Sequence, residues 1–115
     1  MAIKVVLGIS GPLLSGLLQR TMGNNPEIEI IAETTRLADL PCLLSSADTD
    51  WLITSLTEDN RLHPEVTALL TDHPRLSFLG INHCGDTIRI RPAGGEDELV
   101  RDISLSGIMR CLGVS

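Results

Sequence analysis

The residues of this chain best placed to do chemistry are the glycines and serine that follow its first apolar run. Gly8, Ser10 and Gly11 come immediately before Pro12, which suits the first turn of a helix. Free N–H groups and the dipole at a helix N-terminus attract anions, and the serine would add a hydroxyl. Ser55 ends a later apolar run, so it would lie at the same edge of a parallel sheet. This pattern predicts a site for phosphate, a nucleotide or another small ligand.

A structural interpretation of the same residues is favoured. The turn lacks the lysine of a phosphate-binding P-loop and the glycine spacing of a dinucleotide fingerprint. Glycines at Gly8 and Gly11 would also permit a tight turn and close packing of helix on strand. The sequence leaves both interpretations open.

Other reactive side chains lack the arrangements that catalysis or metal binding needs. His83 and Cys84 are adjacent, and a thiol–imidazole pair must be oriented by a third group, which neighbours in sequence rarely achieve. No C-x-x-C pair and no G-x-S-x-G motif occurs. The acidic loop 57–60 could hold a hard cation weakly, but a solvated loop is favoured. We expect no enzymatic activity, cofactor or metal.

Composition predicts one domain, residues 1–115, with an aliphatic core. Hydrophobic residues make up 43% of the 115 positions and aromatic residues only 2%. A net charge of −6 disfavours direct binding to nucleic acid. No apolar stretch approaches the roughly 20 residues that cross a bilayer, and the three cysteines are widely spaced. We therefore expect a cytoplasmic protein without a membrane segment.

The hydrophobic pattern of residues 1–81 predicts alternating strands and helices, as in a parallel sheet covered on both faces. Helices are predicted from Pro12, after Thr34 or Thr35, and from His63-Pro64, and Pro41 is expected to shorten or split the second. The predicted strands are Ile3–Ile9, Glu27–Ala32, Asp50–Ser55 and Leu76–Ile81.

Residues 82–115 have a different hydrophobic pattern. Isoleucine and arginine alternate in Thr87–Arg91, which is typical of a half-exposed strand. Pro92–Glu96 predicts a turn, Glu98–Ile103 a returning strand, and Ser104 can cap a final helix. We expect an antiparallel hairpin here in place of a further helix and parallel strand.

Three segments, Val5–Leu18, Asn25–Glu33 and Asp50–Leu56, resemble the receiver domain of bacterial response regulators, which has a flavodoxin-like fold. The resemblance covers about residues 3–81. It implies an α/β three-layer sandwich whose mostly parallel sheet has the order 2-1-3-4, followed by the C-terminal hairpin.

Within that resemblance, the residues of the phosphorylation site differ. Ile9 and Ser10 stand where the family has its metal-binding acids, and Ser55 stands where it has the aspartate that accepts phosphate. Lys4 is the only lysine, so none follows a fifth strand. Phosphoryl transfer to a carboxylate needs both the carboxylate and a divalent cation. The resemblance therefore implies a degenerate receiver, not phosphorylated on aspartate.

The predicted hairpin carries three arginines, Arg89, Arg91 and Arg101, expected on one side and opposite acidic residues 96–98. Cross-strand charge pairing would explain them, since charged edges also discourage aggregation. A contact surface for an acidic partner or a second copy is the alternative, and an open edge could add a strand. We expect a non-catalytic interaction or regulatory module that forms a homodimer, with small-ligand binding as the competing hypothesis.

Overall fold

A computed structural model describes residues 3–9, 12–24, 26–34, 36–45, 49–82, 87–92, 95–101, 107 and 110. The described strands form one six-stranded sheet in the order β2-β1-β3-β4-β5-β6. The strands are β1 (Ile3–Gly8), β2 (Ile28–Thr34), β3 (Trp51–Ser55), β4 (Ser77–Ile81), β5 (Thr87–Arg91) and β6 (Glu98–Arg101). The helices are α1 (Pro12–Gly23), α2 (Leu40–Ser45) and α3 (Pro64–Asp72), with a 3₁₀ turn at Leu37–Asp39 before α2.

The four N-terminal strands are parallel, as the alternating pattern of strands and helices predicts. β1, β3 and β4 lie in the interior of the sheet and are apolar on both faces, because helices cover both sides. Val5 and Leu7 of β1 belong to one core cluster, and Val6 between them belongs to the other. This period-two division confirms the predicted three-layer sandwich.

One face of the sheet packs against α1, and the other packs against α2 and α3. Leu18 and Met22 of α1 are fully buried with Ile53 and Leu79 on what we call the α1 face. On the opposite face, here the α3 face, the cluster contains Val6, Leu40, Leu44, Leu52, Val66, Leu69, Leu70, Leu76 and Phe78. Among the described residues, the buried polar side chains are those of Thr54 and Thr87.

The second helix is interrupted at the position predicted from proline. A 3₁₀ turn ends at Asp39, and α2 begins at Leu40 with Pro41 in its first turn, where a missing N–H is tolerated. Thr34, the last residue of β2, is hydrogen-bonded to this segment. Its Oγ1 accepts from the Arg36 backbone N–H at 3.0 Å and lies 3.1 Å from Asp39 Oδ2.

The antiparallel hairpin is also confirmed. β5 pairs with β4, and β6 pairs with β5, both antiparallel. The described strand β6 ends at Arg101. The sequence predicted a strand as far as Ile103, and residues 102 and 103 lie outside the described residues. The predicted final helix lies almost entirely outside the described residues, although Gly107 and Arg110 are helical.

β2 and β6 form the two edges of this sheet. The pairing of β2 with β1 is irregular, since Val5 pairs with Ile30 but Val6 pairs with Ala32. The extra residue, Ile31, forms a bulge, a feature that commonly protects edge strands. No helix among the described residues is long and apolar enough to span a membrane.

Asp50 joins the amino ends of the three central strands. Its Oδ2 accepts from the Lys4 backbone N–H at 2.9 Å, and its own N–H donates to the Lys4 carbonyl at 2.9 Å. Its carbonyl in turn accepts from the Ser77 N–H at 3.2 Å. One residue therefore sets where β1, β3 and β4 begin relative to one another.

We predict that Asp50→Ala lowers the free energy of unfolding by about 1 kcal/mol, because it removes the acceptor for the Lys4 N–H. Asp50→Asn keeps a side-chain oxygen at this place and should lose less. Urea denaturation followed by circular dichroism measures both. Equal losses for the two variants would contradict the role given to the side-chain oxygen.

Candidate functional site

The carboxyl ends of the parallel strands meet at one edge of the sheet, where α/β proteins usually bind ligands. Gly8 at the end of β1 pairs with Thr54, and Ser55 at the end of β3 pairs with Ile81 of β4. The structure thus brings Gly8 and Ser55 to this edge, as the anion-site hypothesis requires. Ser10 and Gly11, the other two predicted site residues, lie outside the described residues.

The space beside Gly8 is filled by aliphatic groups. A Cβ atom added there would lie 3.3 Å from Leu40 Cδ2 and 3.4 Å from Thr54 Cγ2. Leu40 and Thr54 are fully buried, and the Thr54 hydroxyl lies 3.3 Å from the Ser55 carbonyl. Gly8 therefore allows close packing of α2 on the sheet, which agrees with the structural interpretation of this glycine.

Ile9 is only 1% exposed. It stands at one of the positions where the receiver family has a metal-binding acid. It belongs to the α1-face core together with Leu7, Leu18 and Ile81. Its side chain therefore lies in the aliphatic core, at the edge of the sheet where a metal-binding acid would have to contact a cation. Ser55, by contrast, is half-buried.

Leu56 covers the end of β4 on the α3 face. A Cβ atom added to Gly80 would lie 2.9 Å from Leu56 Cγ and 3.0 Å from Phe78 Cζ. Leu56 is 7% exposed, so it is part of the buried interior. Together with Leu40 it packs the α3 face of the carboxyl edge with leucine side chains.

The acidic loop after β3 forms a hydrogen-bonded turn. The Asn60 N–H donates to the Thr57 carbonyl at 2.9 Å, and the Thr57 N–H donates to the Arg61 carbonyl at 2.9 Å. Asn60 has φ 59°, a left-handed conformation that asparagine tolerates better than most residues. Glu58 and Asp59 are exposed, and the described residues contain no group of three or more potential metal ligands. The described loop is therefore a turn whose acidic side chains face solvent.

The hairpin arginines share one face of the sheet. Arg89 pairs with Gly80 of β4 and with Leu99 of β6, and directly opposed residues of an antiparallel pair project to the same side. By the same register Arg91 and Arg101 lie on the α3 face, beyond the described helices that cover its centre. We call Arg89, Arg91, Leu99 and Arg101 the arginine face.

Two polar contacts join the arginine face to other described residues. The Arg89 Nε–H donates to the Asn60 carbonyl at 3.0 Å, which ties the hairpin to the loop after β3. Arg91 Nε lies 3.9 Å from Asp97 Oδ1, with both side chains about 40% exposed, so this ion pair contributes little stability. Glu98 was predicted to oppose the arginines, but it pairs with Ile90 and so lies on the α1 face.

Sequence reasoning missed Leu99, which is 36% exposed and the one large apolar side chain recorded as exposed in the described residues. Leu99 stands between Glu98 and Val100, and because Leu99 and Val100 are both apolar, the sequence did not show which of the two faces the core. Leu40, Leu56 and Gly80 were also missed as a packing group, because their contact joins separate elements.

One described cleft lies away from the carboxyl edge. A cleft of about 350 Å³ is lined by Leu44, Thr49, Asp72, His73, Pro74, Arg75 and Leu76. These residues lie in α2, at the end of α3, or just before β3 and β4, so the cleft lies at the amino end of the sheet. None of the residues predicted for ligand binding lines it.

Comparison with known proteins identifies the fold. No family model and no curated protein matches this chain. A solved structure described as two RcsB dimers bound to two parallel DNAs matches with a TM-score of 0.61 at 16% sequence identity. The match covers 71% of this chain, which spans only 43% of that chain's length. At this identity the likeness supports a receiver-like fold alone.

We predict that Gly80→Ala destabilises the protein by about 1–3 kcal/mol, because the added methyl group overlaps Leu56. Leu56→Ala alone should cost about 2–5 kcal/mol by leaving a cavity. The double variant should lose less than the sum of the two, since the new methyl group occupies vacated space.

Gly16→Ala is the matched control, because a Cβ atom at Gly16 meets nothing within 4 Å. In the exposed part of α1 this change should stabilise the protein by about 0.5–1 kcal/mol. Chemical denaturation of all four variants measures the effects, and strictly additive losses for Gly80 and Leu56 would contradict their contact.

Proposed function

We propose that this chain is a receiver-like module that works by binding other proteins, including a second copy of itself, without being phosphorylated on aspartate. The observation that carries the proposal is the aliphatic carboxyl edge, where Ile9, Leu40 and Leu56 occupy the interior. Transfer of a phosphoryl group there would need a carboxylate and a bound divalent cation.

The electrostatics of the edge support the proposal. Burying a carboxylate without partners is costly, so a cation site requires acids that face solvent or one another. At the strand ends, the described positions hold the buried Ile9 and the half-buried Ser55. Ile9 and Ser55 are neutral and offer little attraction for magnesium, and Glu58 and Asp59 in the turn after β3 are exposed and belong to no group of three potential ligands among the described residues.

The arginine face supplies the surface for interaction. On the α3 face, β1, β3 and β4 are covered by aliphatic helix side chains, whereas β5 and β6 carry Arg89, Arg91 and Arg101 at half-buried to exposed positions. A net charge of −6 on the whole chain opposes association with nucleic acid. An acidic protein surface, or a second copy of this chain, suits the arginine face better.

We expect incubation with acetyl phosphate and Mg²⁺ to leave the protein unmodified, as measured by intact mass at neutral pH and by Phos-tag electrophoresis. Ser55→Asp restores a carboxylate at the acceptor position but no cation-binding acids, so it should remain unmodified too. A phosphoryl group on the unsubstituted protein that hydroxylamine removes, as it removes an acyl phosphate, would refute the proposal.

We also expect no ligand to stabilise the protein in a thermal-shift screen of inorganic phosphate, nucleotides and phosphorylated metabolites. A ligand present at 100 times its dissociation constant would add about 2.7 kcal/mol to the free energy of unfolding, which is readily detected. Ser55→Ala serves as the control. Stabilisation that this variant abolishes would favour the ligand-binding hypothesis built on Gly8, Ser10, Gly11 and Ser55.

A further inference from the structure

We infer that β6 pairs with β6 of a second copy of this chain, antiparallel and centred on Leu99, so that two six-stranded sheets become one. The inference rests on the self-association in the proposed function and names the surface that performs it. β6 is the last strand of the described sheet, and both Leu99 and Arg101 are exposed. An edge strand of this kind is a template for pairing with another chain.

The backbone of β6 has the right orientation for this pairing. The Asn82 N–H donates to the Thr87 carbonyl at 3.0 Å, and bonded and non-bonded pairs alternate along an antiparallel ladder. Ile88 therefore turns its N–H and C=O toward β6, where Val100 is its partner. It follows that Leu99 directs its own N–H and C=O away from β5, toward the open edge.

Symmetry limits the register between two copies. Consider two antiparallel edge strands related by a two-fold axis perpendicular to the sheet. Each residue then lies opposite its own copy or opposite a residue that is an even number of positions away in the sequence. Centring the axis on Leu99 pairs the two Leu99 residues and places each Asp97 opposite the second copy's Arg101. All of these side chains project from the α3 face.

The paired side chains are complementary in this register. The exposed Leu99 side chains contact each other at the centre, and an aspartate–arginine pair lies on either side. Asp97 already lies 3.9 Å from Arg91 of its own chain, so the second copy's Arg101 would complete a charge network around it. Centring the axis on Val100 instead would place Leu99 opposite Arg101 and lose both ion pairs.

The other edge of the sheet is not self-complementary. β2 carries a bulge at Ile31, which disturbs a regular ladder. Its two exposed positions, Glu29 and Glu33, are both acidic, so self-pairing would bring like charges together. Of the two edges, β6 alone combines a regular ladder, an exposed apolar residue and charges of both signs.

Charge reversal tests both the surface and the register. Asp97→Lys and Arg101→Glu each replace two attractive cross-strand contacts by two repulsive ones. We expect each variant to raise the dimer dissociation constant about 10-fold or more, measured by sedimentation velocity over a range of concentrations. The double variant D97K/R101E, and an equimolar mixture of the two single variants, should both restore dimers.

Glu29→Lys and Arg75→Glu are matched controls, since they reverse exposed charges away from β6, and they should leave the dissociation constant unchanged. Loss of dimers in Glu29→Lys alone would place the interface at β2 and overturn the inference while leaving self-association intact. An unsubstituted protein that stays monomeric at every concentration would overturn both. Neither result bears on phosphorylation, which the acetyl phosphate experiment tests separately.

Cross-linking gives a second readout of the register. Bonded antiparallel pairs have Cα atoms about 5.5 Å apart, within the range that a disulfide bridges. With Cys42, Cys84 and Cys111 replaced by serine, Leu99→Cys should form a covalent dimer on mild oxidation, and Glu98→Cys should not. Equal cross-linking of both variants, or preferential cross-linking of Glu98→Cys, would overturn the register centred on Leu99.

Discussion

The burial of β1, β3 and β4 on both faces is the constraint on which the rest of this structure depends. A strand between two helical layers satisfies its backbone by pairing, and its side chains must be apolar on both sides. Val6, Leu52 and Phe78 on the α3 face and Val5, Ile53 and Leu79 on the α1 face meet this requirement. Here the apolar requirement also extends past the strand ends, through Ile9 and Leu56.

That extension changes what the carboxyl edge can do. In many α/β proteins the strands end in polar loops that bind ligands. In this chain, Leu40 and Thr54 flank Gly8, and Leu56 covers Gly80. The close packing leaves little room for unpaired polar groups at the described part of this edge, whereas the arginines of the hairpin lie at half-buried to exposed positions.

The hairpin differs because, in its described residues, one face is apolar and joins the α1-face core while the other face carries arginines. Ile88 and Val100 belong to the α1-face core, whereas Arg89 and Leu99, one position further along each strand, lie on the α3 face. This is the amphipathic pattern of a half-exposed antiparallel strand next to a parallel sheet buried on both sides. The receiver-like backbone thus carries a half-exposed, charged surface at this end, and a fold by itself does not determine function.

The sequence by itself determined the strand and helix order, the interruption at Pro41, the hairpin and the side of the strand on which Arg89 and Arg91 lie. These features depend on periodicity and on the local effects of proline, which neighbouring residues set. Tertiary structure alone decided that Leu40 fills the space beside Gly8, that Leu56 covers Gly80 and that Leu99 remains exposed at the sheet edge. Such contacts join residues distant in the chain, so only the packing of separate elements against one another could establish them.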